Sequence, residues 1–470
     1  MGSKDRLYAD IMAVHPEVTG SCNLVIVKQP DNSTVKFVVD CGLFQERQYS
    51  KNNENLPFIP ANIDFCLVTH NHVDHVGRLP FMVSKGYNQE IYMTETTAKL
   101  LPLALEDSHK VLRDVAKRQN HSPLYSEADV SQTMRLIHPC KYNETIQIRP
   151  NIKATFFMNG HLMGASSILV QISWEGYETI NLFFTGDYNN KNMFFDVPDL
   201  PDWVLELPLT LVQESTYGDM DSYEVTSCFK QNVLKCLEHG GTVVAPVFSL
   251  GRSQEILYEV KCMQDDGSLD VNVPIYFDGK LGIRYTTLYL KDGLDIKEDM
   301  KNFLPKNLTF VDKVNRGEVL TSTMPKIILT TSGMGSYGPA QVYIPEYLTR
   351  RNSLIHFTGY TTEGTLGARL KAAEVGTAVQ IGGTLVKKHA QVEYTTEYSA
   401  HAKADEMIDF LKFKHLKLVL VNHGEANTKQ IFAERIINEV DTERVGILGS
   451  GYFFRVNHEG LIKSLSTKFE

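Results

Sequence analysis

His70-Asn71-His72-Val73-Asp74-His75 follows directly on the apolar run Phe65-Cys66-Leu67-Val68-Thr69. A near-continuous apolar run of this length reads as a strand covered on both faces. At its end, three imidazoles and a carboxylate crowd into six residues. An extended backbone sends alternate side chains to the same side, so His70 and His72 point together. Asp74 and His75 then turn toward a second point nearby. One closed zinc site takes four donors in all, so a loop this rich reads as half of a two-metal site. Other metal motifs do not fit. The seven cysteines contain no Cys-x-x-Cys pair, and the spacing differs from the helical His-Glu-x-x-His of metalloproteases.

The remaining donors should stand at other strand ends, because strands of one sheet gather their termini along a common edge. Three positions meet that condition. His161 lies in Met158-Asn159-Gly160-His161-Leu162-Met163-Gly164, Asp187 closes Phe183-Phe184-Thr185-Gly186, and His423 follows Leu416-Lys417-Leu418-Val419-Leu420-Val421-Asn422. A carboxylate has two oxygens, which makes Asp187 the natural bridge between two cations. With residues 70–75 these complete seven donors: His70, His72, Asp74, His75, His161, Asp187 and His423. Asp40 ends the strand-like Val35-Lys36-Phe37-Val38-Val39 and reads best as a residue that steadies a ligand histidine or a metal water.

A chain of 470 residues exceeds one ordinary core, so two domains are expected. Hydrophobic residues make up 43% and charged residues 22%, the balance of a soluble globular protein. The formal charge of −9 argues against a basic nucleic-acid coat protein but leaves a nuclease open. No apolar stretch is long enough to span a bilayer, and the start, Met1-Gly2-Ser3-Lys4-Asp5-Arg6, has no signal-like apolar core. The unpatterned cysteines suggest reduced, buried thiols and a cytoplasmic protein. Between residues 226 and 385, strands such as Thr242–Pro246, Pro274–Asp278 and Lys326–Thr330 alternate with helical stretches, which implies a parallel sheet.

These motifs resemble those of the metallo-β-lactamase-fold nucleases of the β-CASP family, and within it the RNA-processing branch that holds ribonuclease J and the mRNA 3′-end-processing endonuclease. Asp40 in Val-Val-Asp-Cys-Gly-Leu-Phe-Gln is similar to the first motif, His70, His72, Asp74 and His75 to the second, His161 to the third and Asp187 to the fourth. Glu214 in Gln-Glu-Ser-Thr-Tyr-Gly-Asp, His401 in Tyr-Ser-Ala-His-Ala and His423 in Val-Asn-His-Gly-Glu resemble the three motifs that mark the β-CASP branch. Gly251–Glu255, Thr331–Met334 and the stretch 357–367 also look family-like.

The resemblance implies a metallo-β-lactamase αββα sandwich over residues 1–213 and 386–470. An inserted β-CASP α/β domain with a mainly parallel sheet would occupy 214–385. It implies two zinc ions, with manganese as the alternative metal. His70, His72 and His161 would hold one ion, Asp74, His75 and His423 the other, and Asp187 would be shared. A hydroxide between the metals would attack phosphorus, making Asp74 and Asp187 part of the catalytic set. His401, not needed as a ligand, would be the general acid, with Glu214 accepting its hydrogen bond. The Ser332-Gly333-Met334 loop is a candidate phosphate cradle, and Arg252, Arg369 and Lys371 are candidate phosphate contacts.

The expected activity is cleavage of single-stranded RNA, endonucleolytic and with room for a 5′-to-3′ exonuclease. Histidine at 423, where the DNA-processing branch carries valine, points to RNA. No membrane partner is expected, and a homodimer is left open. One departure stands out: Asp278-Gly279-Lys280-Leu281-Gly282 replaces the usual Asp-Ser-Pro-Leu-Ala of relatives, so substrate preference is not carried over there. Two other readings share the metal residues. A hydrolase of a small lactam or thioester needs no large inserted domain, and a catalytically idle RNA-binding scaffold needs no full donor set.

Overall fold

A computed structural model describes residues 6–466 apart from 16, 46, 226, 293–294, 360 and 362–363. Residues 1–5 of the start, and 360 and 362–363 of the stretch 357–367, therefore lie outside the described residues. The chain divides into two compact units, one from residues 1–223 and 401–470 and one from 224–400.

In the first unit, two mixed sheets pack face to face. One runs, in spatial order, Gly460–Ser466, Tyr452–Asn457, Tyr8–Ala13, Asn23–Lys28, Thr34–Val39, Phe65–Leu67, Ile91–Thr94 and Ile137–Cys140. The other runs Val445–Ile447, His415–Asn422, Pro208–Glu214, Tyr177–Phe184, Ser166–Trp174, Ile152–Met158 and Thr145–Arg149. The two-residue period of a strand decides which side chains go where. Phe156, Ile168, Val170 and Leu182 meet Ile11, Val25 and Phe37 in a core between the sheets. Their sequence neighbours Phe157, Leu169 and Phe183 turn the other way, onto Met407 of helix Ala404–Phe410 and Phe432 of helix Ala426–Glu439. On the opposite outer face, Val38, Cys66 and Met93 pack with Leu101 and Leu105 of helix Glu95–Gln119. The layers are thus αββα. Each fully buried Leu, Ile or Phe contributes about 1.5–3 kcal/mol, so three apolar layers fix the strand ends before any ligand is considered.

Parallel pairing places the functional ends together. Pro208–Glu214 lies parallel to both Tyr177–Phe184 and His415–Asn422, so Glu214, Asp187 and His423 leave at one edge. In the other sheet Thr34–Val39 is parallel to Phe65–Leu67, which sets Asp40 beside Thr69.

The second unit holds a six-stranded sheet in the order Leu308–Val311, Ile275–Asp278, Lys326–Thr330, Thr242–Pro246, Leu354–Phe357 and Gln391–Tyr394. Every pairing in it is parallel. Residues 386–400 were expected to return to the sandwich. Gln391–Tyr394 instead hydrogen-bonds to Leu354–Phe357, and residues 214–223 stay with the first unit, so the second unit spans 224–400 rather than 214–385. All seven cysteines are unpaired, and Cys22, Cys41, Cys66 and Cys140 are buried. Among the described residues, no helix is long and apolar enough to cross a membrane.

Candidate metal centre

Seven donors meet at one place in the first unit. His70, His72 and His161 offer ligand atoms that all lie within 4.8 Å of one another, and so do Asp74, His75 and His423. Asp187 reaches into both groups. Its Oδ2 is 3.2 Å from His75 Nε2, 3.7 Å from His70 Nε2 and 3.8 Å from His161 Nε2, and its Oδ1 is 3.3 Å from His423 Nδ1. His161 Nε2 lies 3.0 Å from His72 Nδ1, and His75 Nε2 lies 3.3 Å from His423 Nε2. Facing nitrogen lone pairs repel unless a proton or cation stands between them. His70 Nε2 is buried and takes no hydrogen bond among the described residues. A buried polar atom of that kind calls for a partner, and a set of imidazoles plus carboxylates suits divalent transition metals.

Local structure explains how the donor turn is aimed. Val73–Val76 forms a single helical turn with His72 at its N-cap. Backbone N–H groups of Ser21, Cys41 and Leu43 donate to the carbonyls of Asp74, His75 and Val73 at 2.8, 2.8 and 3.0 Å, clamping this turn along residues 41–43. Gly42 permits that approach: a Cβ there would overlap the Asp74 carbonyl and come within 2.6 Å of His75 N. Asp40 does not enter the donor group. Its carboxylate accepts from Thr69 N, Thr69 Oγ1 and His75 Nδ1, each at 2.8 Å. That bond leaves His75 Nε2 facing the cluster.

Three supporting residues were not singled out from the sequence. Thr69 Oγ1 also lies 3.1 Å from His70 Nδ1. Thr216 Oγ1 lies 3.2 Å from His423 Nδ1. Asn159 donates to the carbonyls of Thr185 and Asp187 at 3.0 and 2.9 Å, and its Oδ1 accepts from His161 N at 3.3 Å. Their one sequence signal is adjacency to His70, Glu214 and His161.

His401 packs beside the donors, its ring centroid 4.7 Å from that of His161. Its Nδ1 sits 3.1 Å from each Glu214 carboxylate oxygen. Tyr188 N fixes that carboxylate by donating to Oε1 at 2.9 Å. Burial works against protonating His401, but the Glu214 carboxylate overcomes it and holds the pKa above its ordinary value. Burial drops the His72 pKa to about 4 and, with the His75 and His161 imidazoles alongside, pushes His70 well below its ordinary value. Both therefore present neutral imidazoles, the form that ligates metal. Asp187 stays ionised despite its burial, because His423 and His75 adjoin it.

Ser332, Gly333 and Met334 follow the strand Lys326–Thr330 in the second unit. Arg252, considered above for phosphate contact, is buried and committed elsewhere. It pairs with Glu255 at 2.8 Å and donates to the Thr358 carbonyl. Arg369 donates to Gln380 O at 2.9 Å, and Lys371 Nζ lies 3.6 Å from the Tyr394 ring centroid.

Three domain families match the chain in order. A metallo-β-lactamase superfamily domain matches residues 29–193, a Beta-Casp domain 253–370 and a Zn-dependent metallo-hydrolase RNA specificity domain 385–446. The chain is 31% identical to a ribonuclease of Thermus thermophilus over 425 residues, covering 87% of this chain and 91% of that protein. An RNase J-like protein of Methanocaldococcus jannaschii is 29% identical, with 89% of this chain and 94% of that one covered. Cleavage and polyadenylation specificity factor subunit 3-II of Arabidopsis thaliana is 28% identical, with 92% and 70% covered. Sandwich, inserted parallel sheet, histidine-aspartate cluster and end-to-end similarity agree: the chain belongs to the β-CASP family of metallo-β-lactamase-fold hydrolases.

Proposed function

We propose that this protein is a zinc-dependent endoribonuclease that hydrolyses phosphodiester bonds of single-stranded RNA. The observation that carries the reading is the convergence of seven donors with the His401–Glu214 pair alongside. His70, His72 and His161 would hold one cation, Asp74, His75 and His423 the second, with Asp187 reaching both. Two such cations, when bound, activate water at neutral pH and neutralise charge on a phosphoryl group. Nitrogen-rich donors favour zinc, and manganese is the competitor.

The chain's own residues supply the remaining steps. Asp40 and Thr69 hold His75 in the tautomer that frees Nε2. Glu214 orients His401 and keeps it protonated, so that His401 passes a proton to the leaving ribose oxygen. The Ser332–Met334 loop offers backbone N–H groups to a phosphate of the RNA. The matched RNA specificity domain and the ribonuclease among the relatives support RNA over a small substrate. Seven unpaired cysteines suit the reducing cytoplasm.

His401→Ala tests the assignment. It should retain its metals and lose about 100- to 10,000-fold in cleavage rate. RNA labelled at either end should yield internal fragments with the wild-type protein. Wild-type cleavage by the variant would overturn the general acid. A fully metal-loaded wild-type protein that leaves RNA intact would overturn the substrate.

A further inference from the structure

The Asp278–Gly282 turn lies against Thr331, the residue that leads into the Ser332–Met334 loop. Ile275–Asp278 and Lys326–Thr330 are parallel neighbours with Asp278 opposite Thr330. Both leave the sheet at the same edge, one into Gly279-Lys280, the other into Thr331-Ser332-Gly333-Met334. The two exits touch: a Cβ on Gly279 would lie 2.5 Å from Thr331 Oγ1.

Asp278 does not neutralise Lys280. Its buried carboxylate is taken by Arg316, at 2.6 Å from Nε and 3.0 Å from Nη2, and by the Tyr343 hydroxyl at 2.9 Å. Lys280 is exposed, and its ammonium has no partner among the described residues. It opens the helix Lys280–Asp292, whose first turn contains no acidic residue. A cation at a helix N-terminus is unfavourable, since the dipole already places positive charge there. At the end of the neighbouring strand, just past Thr331, the N–H groups of Ser332, Gly333 and Met334 meet no acceptor among the described residues. An unpaired ammonium, a helix N-terminus and three consecutive vacant amides on one sheet edge are a matched set for an anion.

We propose that Lys280 is a substrate-binding residue that contacts a backbone phosphate of the RNA, next to the phosphate held by the Ser332–Met334 amides. The proposal rests on the ribonuclease reading above and deepens it. An ammonium reads phosphate charge and carries no base information, so Lys280 strengthens binding uniformly across sequences. It acts on binding and leaves the chemical step untouched.

The experiment compares wild type, Lys280→Ala, Lys280→Arg and Lys301→Ala on one labelled single-stranded RNA across a potassium chloride series. Lys301 is the control, an exposed lysine of the second unit paired with Glu298 at 2.5 Å. For Lys280→Ala, KM should rise several-fold with kcat unchanged. The slope of log affinity against log salt should become shallower by about 0.7, the value for one lost single-strand phosphate contact. Lys280→Arg should restore both, and Lys301→Ala should alter neither. A merely structural role would change thermal stability without touching the salt slope. A wild-type slope and KM in Lys280→Ala overturns this proposal alone. Wild-type protein that neither binds nor cuts the RNA overturns the ribonuclease reading and this proposal with it.

Discussion

Replacing Asp40 with asparagine should loosen one metal without unfolding the sandwich. The side chain keeps its size, and asparagine tolerates the left-handed backbone that Asp40 adopts at φ 64°. Of the three bonds accepted by the carboxylate, the one from Thr69 N survives on the amide oxygen. Thr69 Oγ1 can turn and accept from the new amide. The bond from His75 Nδ1 has no such escape, because a donor would then face a donor. Losing that charge-assisted bond costs about 1.5–3 kcal/mol. The alternative is for the ring to move its proton to Nε2, which takes that lone pair away from the donor cluster. Loss of such a supporting partner lowers metal affinity by about 10- to 100-fold, or about 1.4–2.7 kcal/mol, in agreement with the bond estimate. Zinc competition against a graded chelator series measures the change directly, with circular dichroism checking the fold. Asp40→Asn that holds zinc within a factor of about two of wild type would refute the argument, since that is far inside the expected loss.

Gly42→Ala should be more damaging, because its Cβ overlaps the Asp74 carbonyl and forces the ligand turn aside. Overpacking of this kind costs about 1–3 kcal/mol, read as a lower midpoint in denaturant and zinc binding below the wild-type stoichiometry. His356, buried in the second unit, gives an acid-sensitive term of its own. Its Nδ1 donates to Phe357 O at 3.2 Å and its Nε2 accepts from Asn232 at 3.3 Å, an arrangement that only the neutral ring satisfies. Burial lowers its pKa from the ordinary 6.5 to about 4. Between those values the unfolded chain binds more protons than the folded one, so stability is present above pH 6.5 and lost as pH falls toward 4. The loss reaches about 3 kcal/mol, and His356→Gln should flatten that part of the pH dependence in chemical denaturation. An unchanged slope would count against it.

The convergence of the histidine and aspartate donors was legible because much of it is local. Residues 70–75 carry four donors, and the rest mark themselves by ending apolar strands. The parallel sheet of the inserted unit announced itself through alternating strands and helices. What hid was decided by long-range packing. Gln391–Tyr394 has no apolar run and lies on a sheet edge, so nothing local assigned it to the insertion. Arg252 looked available because arginine is usually exposed, but Glu255 one helical turn on and the distant Thr358 carbonyl bury it. Thr69, Asn159 and Thr216 act through loops that meet only after both sheets have packed.

The order in which the chain is synthesised interacts with this topology. Pro208–Glu214 waits for His415–Asn422, and Tyr8–Ala13 for Tyr452–Asn457, until the whole insertion has been made. A nascent polypeptide translated as far as residue 400 displays His70 through Asp187 but has neither His401 nor His423. Such an unfinished chain holds six of the seven clustered donors and lacks both His423 and the imidazole that pairs with Glu214.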